Sequence, residues 1–539
     1  MTKHSDPQKT RIIVCDDLAP VALEVFRKRG FEPEIRTGMS EDELAEAVIG
    51  ADALVVRSAT KITRRIFEAS DKLKVVGRAG VGVDNVDCEA ATERGVVVMN
   101  TPTGNSTTTA ELAISLLCSL ARHIPRANSI VRGGSWKKSG LVGTELTGKT
   151  LGVVGMGRIG RIVADRGLGL RMKVVGFDPY LQEDSSPVKG VDLMSLDELL
   201  QCSDFISLHV PLTDATRNLL SWDKIALMKK GSRLINASRG GVVDEEAVLD
   251  ALEEGRMAGA AFDVLADEPP GADHPLVTRD DVIVTPHLGA SSTEAQLTVA
   301  IDVATQISDF LLKGVAMNAV NAPAMQPEVL HELAPFLLLA EKLGRFLAQR
   351  IGGPIRKAEL TVGGDIARHD VKHLKLAFMV GVLRESLVES DVNFVNAPGL
   401  AQERGLRILV SEEEEPIYRL GQIKIRASMR AGGPSHLVMG TVFGRELRFV
   451  RIDGVHLDLP PSGPILLTRH RDRPGVVGTL GTILGAAGVN IQRIELDPPG
   501  GESGDLSSGF LSLDEEPPSD VIEKIAELDM MEEVQVIRL

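Results

Sequence analysis

Residues 151–160, LGVVGMGRIG, constrain the fold of this chain more than any other stretch. An apolar run suited to a buried strand enters a glycine turn and leaves it as a helix. The tight turn needs Gly155, the bare backbone at Gly157 lets a pyrophosphate approach, and Gly160 lets the following helix pack on the strand. A helix opening at Arg158 and Ile159 would direct free N–H groups at phosphates. Such a pattern alone is weak in a chain with 53 glycines, but here a second strand-like run follows, KVVGFD at 173–178, ending in an acid. Asp178 lies about 20 residues beyond the turn, where a carboxylate holds adenosine ribose hydroxyls and repels the extra phosphate of NADP. Read alone, Asp178 would only open a turn before Pro179. Behind the glycines it points to NAD as cofactor.

Composition sets the scale. A chain of 539 residues is expected to form three or four domains. Hydrophobic residues make up 43% but aromatic ones only 3%, so the cores must rest on Val, Leu, Ile and Ala. With 60 basic against 75 acidic residues the formal charge is −15. That argues against a nucleic-acid or anionic-membrane surface, and an anionic substrate would need local arginines to capture it. Cys15, Cys88, Cys118 and Cys202 show no metal spacing and no disulfide framework, and are expected as buried free thiols. Residues 1–10 lack an apolar signal core and 112–121 are too few to span a bilayer, so a cytoplasmic location is expected.

Strand-like and helix-like runs alternate from the start. Strands are expected at 11–17, 53–57, 74–76 and 96–100, with a helix at 20–30, which makes a parallel α/β lobe. A helix at 106–123 leads to a second α/β lobe, with strands at 205–209, 233–236, 259–263 and 282–285, then a helix at 293–313. Asn321-Ala-Pro323 and Gln326-Pro327 mark a boundary. A helix at 329–350 and several strands follow, with an acidic run at 412–415 expected as a solvated loop. Residues 460–464, PPSGP, form a second linker. The tail reads βαββαβ, the order of a small ferredoxin-like domain, with strands at 465–470, 490–496, 508–513 and 533–539 and helices at 474–487 and 520–528.

Three segments at the ends of successive strands carry reactive residues: ASRGG at 237–241, DVLADEP at 263–269 and TPHLGA at 285–290. Ligands of open parallel sheets bind beyond the carboxyl ends of the strands, so all three would face the cofactor. The residue types suit hydride transfer between a hydroxy acid and a 2-oxo acid. His287 would take the hydroxyl proton. Glu268 would orient the imidazole and favour its protonated form. Arg239 would grip the carboxylate and polarise the carbonyl. Singly, each is an ordinary loop or capping residue; together, on consecutive strand ends after a dinucleotide turn, they form a catalytic set.

The combined pattern resembles the D-2-hydroxy acid dehydrogenase family, over essentially the whole chain. In the first lobe VRSATK at 56–61, GRAGVGVDNVD at 77–87 and NTPTGN at 100–105 are similar to that family and more specific than the glycine turn. The resemblance implies a Rossmann NAD domain inserted in a flavodoxin-like substrate domain, both doubly wound parallel-sheet lobes, followed by an α+β intervening domain and a ferredoxin-like ACT domain. The implied units are 1–104 with 291–322 for substrate, 105–290 for NAD, 323–459 intervening and 463–539 ACT. It implies that Arg57, Arg78, Gly80, Val81 and Asn105 bind the acid, with N–H groups around Gly80 to Gly82 forming an anion nest. It implies NAD contacts at Gly155, Gly157, Arg158, Ile159, Gly160, Asp178, Val210, Ala237, Ser238, Arg239, Asp263, His287, Leu288, Gly289 and Ala290, with Asp263 on the nicotinamide amide. Val81 and Val210 stand where some relatives have threonine, so only their backbone is available.

RIDGVHLD at 451–458 and GTVFG at 440–444 resemble the intervening domain of the long members, and HRDRPG at 470–475 with GVNI at 488–491 resembles an ACT module. The implied activity is NAD-dependent oxidation of 3-phospho-D-glycerate to 3-phosphohydroxypyruvate, opening L-serine biosynthesis. The alternatives are another D-2-hydroxy acid, such as 2-hydroxyglutarate, and a non-enzymatic NAD-sensing protein, against which the three catalytic residues argue. His470, Asp472 and Asn490 would hold L-serine as effector, unless His470 and Asp472 merely cap the next helix. The segment around Trp136 and Lys138 is used by relatives for dimer contacts, so a homodimer or homotetramer is implied.

Overall fold

The computed structural model describes residues 6–182, 184–314, 316–322, 327–387, 392–430, 433–497 and 506–539. Pro323 and Gln326 of the expected boundary, and residues 1–5, lie outside these. Among the described residues no helix is long and apolar enough to cross a membrane.

The first sheet has five parallel strands, in spatial order Glu34–Ile35, Ile12–Val14, Ala53–Val56, Val75–Arg78 and Val97–Met99. The inner strands are buried residue after residue, as sheets covered on both faces must be. One cover comes from far along the chain. The helix Thr293–Lys313 lies against Gly77, where an added Cβ would come within 2.4 Å of Ile307. A bare strand position therefore lets the chain return to its first lobe.

The second sheet has seven parallel strands, ordered Val282–Val284, Met257–Phe262, Ser232–Asn236, Phe205–Leu208, Thr150–Val154, Lys173–Phe177 and Val191–Leu193. The strand order reverses between Phe205–Leu208 and Thr150–Val154. A crevice opens beyond the carboxyl ends of the strands at such a point.

The third sheet has six strands, mixed, with Lys357–Gly363 pairing parallel to Arg407–Glu413 and the remaining pairs antiparallel. The fourth is the antiparallel βαββαβ unit, ordered Ile491–Leu496, Leu506–Leu513, Pro464–Arg471, Met531–Arg538. These last two sheets do not stand apart. Ile465, Leu467, Phe510 and Ile537 share one buried cluster with Leu339 and Phe346 of the helix Pro327–Ile351. Leu466 and Leu511, on the opposite face, pack with Val476, Leu480 and Leu484. The period of two along each strand thus buries both faces of the terminal sheet. In the opposite direction, Val395 lies in the core of the first lobe, and Asn393 Nδ2 donates to the Gly95 carbonyl at 2.8 Å.

Three expectations change. Glu412 and Glu413 end the exposed edge strand Arg407–Glu413 instead of forming a loop, and Glu413 pairs with Lys424. Charge on an edge strand discourages edge-to-edge association. Cys202, expected buried, is exposed because it ends the helix Leu196–Cys202, and Cys88 and Cys118 are half-buried, whereas Cys15 is buried just beyond the strand Ile12–Val14. Burial, reinforced by Asp16, pushes the Cys15 thiol up to about 12. The helix Val476–Ala486 is entered by Gly475 at φ +100° with no side-chain cap, so neither His470 nor Asp472 caps it.

Candidate active site

The glycine turn sits at the strand-order reversal. Gly155 has φ +91°, and a Cβ there would lie 2.4 Å from the His209 carbonyl. At Gly160 a Cβ would lie 1.9 Å from the Gly155 carbonyl and 3.3 Å from Val153, so the helix packs first on the turn and then on the strand. Gly157 is the opposite case: its Cβ would meet nothing within 4 Å. That space lies over the start of the helix Arg158–Gly169, where Gly157 offers no side-chain cap. Uncapped N–H groups beneath open space fit a pyrophosphate. Ile159 packs inward, while Arg158 Nη1 donates to the Pro102 carbonyl of the first lobe at 3.4 Å. Val210 packs beside Gly155, its Cγ1 2.9 Å from where a Cβ would be.

Asp178 opens the turn before Tyr180 and also braces the glycine turn. Its Oδ2 accepts from Met156 N in the glycine turn and its Oδ1 from Tyr180 N, each at 3.0 Å. A carboxylate has about four acceptor positions, so two remain for a ribose diol. The residues present therefore fit NAD.

The strand end at Asn236 is a wired turn. Buried Asn236 accepts from Ser238 N at 3.1 Å and Ser238 Oγ at 2.8 Å, and donates to the Arg239 carbonyl at 3.0 Å. Ala237 is buried, and the turn presents Arg239 toward the first lobe. Arg239 Nη1 donates to Ser238 O at 2.7 Å, and its Nε lies 3.1 Å from Asp84.

His287 Nδ1 and Glu268 Oε2 are 2.8 Å apart, and Glu268 Oε1 accepts from Leu265 N at 3.1 Å. The carboxylate is thus held from behind while it orients the ring. Asp263 is engaged within the protein. Its Oδ1 accepts from Thr285 Oγ1 at 2.6 Å and Leu288 N at 2.7 Å, and its Oδ2 from Gly289 N at 2.9 Å. It is buried at the base of the loop that carries His287, and these bonds hold that loop. Burial pushes its pKa up against those hydrogen bonds. Thr109 Oγ1 donates to Gly289 O at 2.7 Å, fixing the same loop from the helix Ser106–Ala121, and Ala290 follows directly.

Facing this are Arg57 and Arg78 from the first lobe, with Asn105 where the chain passes into the helix Ser106–Ala121. Arg78 folds back over Gly80, where a Cβ would lie 1.7 Å from Nη1 and φ is +150°. Burial first, then the neighbouring Arg239 and Arg57 guanidinium groups, pull Arg78 down to about 10, with Asp84 and Asp16 opposing. Buried Arg78 Nε, Asn105 Oδ1 and Thr101 Oγ1 have no hydrogen-bond partner. Leaving such groups unpaired costs about 1–3 kcal/mol each. An anion between these guanidinium groups would relieve the repulsion. Asp16 holds the backbone of Arg57, whose Nη1 donates to Asp17 O at 3.1 Å. The anion nest is narrower than expected, because the Gly80 N–H is used by the Arg78 carbonyl at 3.0 Å.

Sequence reasoning missed the holding residues Asp84, Asn236, Thr285, Thr109 and Asp16. Each acts across a turn or between elements, and only the GRAGVGVDNVD and TPHLGA stretches, which contain Asp84 and Thr285, drew attention to any of them. It also missed His209, half-buried behind the glycine turn with Nε2 2.8 Å from Ser207 Oγ and kept neutral because burial pulls it down to about 3.

In the terminal domain His470 is buried, with Nδ1 3.3 Å from Thr468 Oγ1 and its pKa lowered by burial against Asp472. Asp472 and Asn490 are exposed, and Asn490 N donates to Asp514 Oδ1 at 2.8 Å. Lys138 and Trp136 lie on an exposed loop, Trp136 being 83% exposed.

Family comparison matches three segments: the NAD binding domain of the D-isomer specific 2-hydroxyacid dehydrogenases at residues 114–289, the D-3-phosphoglycerate dehydrogenase intervening domain at 332–453, and the ACT domain at 465–529. The D-3-phosphoglycerate dehydrogenase of Methanocaldococcus jannaschii is 41% identical over 98% of this chain and 100% of its own length. That of Bacillus subtilis is 38% identical over 98% of this chain and 99% of its own. Among solved structures, the TT0316 protein of Thermus thermophilus is 37% identical with TM-score 0.53, covering 58% of this chain and 100% of its own. The D-lactate dehydrogenase of Aquifex aeolicus, complexed with NAD and lactic acid, is 28% identical with TM-score 0.51, covering 58% of this chain and 100% of its own.

Proposed function

The chain belongs to the D-isomer specific 2-hydroxyacid dehydrogenases, among the long members with intervening and ACT domains, and we propose that it oxidises 3-phospho-D-glycerate to 3-phosphohydroxypyruvate. It is an NAD-dependent oxidoreductase, and the product leads toward L-serine. The observation that carries the residue assignment is the arrangement across the cleft: a held imidazole–carboxylate pair on one lobe, and arginines with unpaired polar atoms on the other.

Bound over Gly157 and Asp178, NAD supplies the hydride acceptor. The rest is done by the chain. Arg78, with Arg57 and Asn105, takes the anionic ends of the substrate. Arg239 reaches the carboxylate and polarises the carbonyl that forms at C2. Because Glu268 holds Nδ1, Nε2 of His287 is the atom that accepts the C2 hydroxyl proton. As the imidazole gains that proton, the Glu268 carboxylate stabilises the charge. Closing the lobes would exclude water. The working units are 1–104 with 291–322 for substrate, 105–290 for NAD, 323–459 intervening and 463–539 regulatory.

For regulation, L-serine would bind at Asp472 and Asn490 beside His470, in a homodimer or homotetramer. Exposure of Asp472 and Asn490 supports it, as does the edge strand Ile491–Leu496, which leaves Ile494 and Leu496 uncovered. Binding of L-serine by calorimetry, lost in Asp472→Ala, tests it.

The decisive assay is NADH formation from 3-phosphoglycerate against 2-hydroxyglutarate. A strong preference for 2-hydroxyglutarate overturns the substrate assignment. His287→Ala should lower turnover by about 10²- to 10⁴-fold, the usual share of a general base, with NAD affinity nearly unchanged. Parent-like turnover in that variant would reject His287 as the base.

A further inference from the structure

The loop 80–87 does more than line the anion pocket. Asp84 Oδ2 stands 3.1 Å from Arg239 Nε, so a carboxylate of the first lobe holds a guanidinium of the second. The next residue, Asn85, donates through Nδ2 to the Arg57 carbonyl at 2.7 Å and the Thr60 carbonyl at 2.6 Å. Two consecutive side chains therefore hold two arginines, one on each side of the cleft. Gly82 makes the crossing contact feasible: a Cβ there would lie 2.0 Å from Arg239 Nη2 and 2.6 Å from Asp84 Oδ2. With Nε on Asp84 and Nη1 on the Ser238 carbonyl, the planar fork is fixed, and Nη2 lies over the side-chain-free Gly82.

The pair is too wet to act as a structural support. The Asp84 side chain is 69% exposed and that of Arg239 25% exposed, and ion pairs in that much water contribute about 0–1 kcal/mol. What the pair sets is direction. Arg78, Arg57 and Arg239 repel one another, and Asp84 is among the acids that offset this. The contact also requires the lobes to face each other.

We propose that Asp84 is a positioning residue: it aims Arg239 at the substrate and ties that aim to closure of the cleft. The inference rests on the oxidation of a 2-hydroxy acid proposed above and extends it to the residue that prepares its carboxylate-binding arginine. Substrate joins a fork already oriented and need not dislodge Asp84 to do so.

A double-mutant cycle on the full chain tests this. Asp84→Ala should lower kcat/KM for 3-phosphoglycerate about tenfold and raise its KM, with KM for NAD within about twofold of the parent. Asp84→Asn should restore most of the loss, because an amide oxygen still accepts from Nε. In an Arg239→Lys background, where the cation has no Nε edge, Asp84→Ala should cost less than about twofold. Additive losses overturn the proposal. So does a lower KM in Asp84→Ala, which would make Asp84 a competitor of the substrate. The parent's own turnover judges the functional reading separately, and a parent active only on 2-hydroxyglutarate moves the same cycle to that acid. If the parent reduces NAD with neither acid, hydrogen exchange of residues 237–241 decides: faster exchange in Asp84→Ala supports the tether, and equal exchange refutes it.

Discussion

Glu268→Gln is nearly isosteric, yet the geometry makes it more damaging than removing the side chain. Glu268 uses both oxygens as acceptors, Oε1 from Leu265 N at 3.1 Å and Oε2 from His287 Nδ1 at 2.8 Å. A glutamine has one acceptor and one donor end. If its oxygen stays on Leu265 N, its NH₂ faces Nδ1, the ring proton moves to Nε2, and the histidine cannot accept the substrate proton. If the amide turns over, Nδ1–H is served but NH₂ meets the Leu265 N–H, leaving a donor unsatisfied. That costs about 1–3 kcal/mol, and with Glu268 37% exposed the lower part of the range applies. About 1–2 kcal/mol corresponds to roughly 5–30-fold fewer molecules with a competent base. Loss of the charge that stabilises the imidazolium adds to this. Glu268→Ala removes the anchor but imposes no wrong tautomer, because water can serve both groups. The expected order of kcat is parent, then Ala, then Gln, with Gln at least about fivefold below parent and NAD affinity unchanged in both. Steady-state NADH formation measures it. A Gln variant matching the parent, or exceeding the Ala variant, refutes the argument.

Asp178→Ala should shift the kcat/KM ratio from NAD toward NADP by removing the charge that repels the extra phosphate; an unchanged ratio would reject the assignment. Gly160→Ala places a Cβ 1.9 Å from the Gly155 carbonyl, so it should lower stability by about 1–3 kcal/mol and weaken NAD binding, read as a lower Tm and a higher KM for NAD. Asp453 resists the upward pull of its burial because His436 Nδ1 lies at 2.7 Å, Leu437 N donates at 2.8 Å and Arg350, which also pairs with Glu533 of the terminal sheet, stands at 3.7 Å. Its folded pKa is therefore below the ordinary value of about 4. The stabilisation is full above that value and disappears as pH falls through the depressed one. Asp453→Asn should thus have a lower Tm than parent near pH 7, with the gap closing under acid conditions; a gap independent of pH would reject this.

Much of the catalytic pattern was legible because it is local. Strand, glycine turn, helix and acid follow within thirty residues, and their φ requirements and periodicities are properties of the chain itself. Arg239, Glu268 and His287 could be read because parallel strands place their carboxyl ends along one edge in a knowable way. The partners that aim these residues were not legible. Asp84 meets Arg239 only because two lobes face each other, and Asp263, which the family resemblance assigned to the nicotinamide amide, also holds the His287 loop. Likewise Ile465, Leu467, Phe510 and Ile537 read as one face of a small domain, and nothing local says that the helix Pro327–Ile351 covers that face.

The sequence alone determined two parallel α/β lobes, a dinucleotide turn and which side chains carry reactivity, since strand period, glycine freedom and the chemistry of each residue type are local quantities. Tertiary structure decided which buried groups are left unpaired, which arginines share a field and which carboxylate steadies them. Those depend on distances of a few ångströms between segments far apart in the chain, and packing of the folded lobes sets those distances.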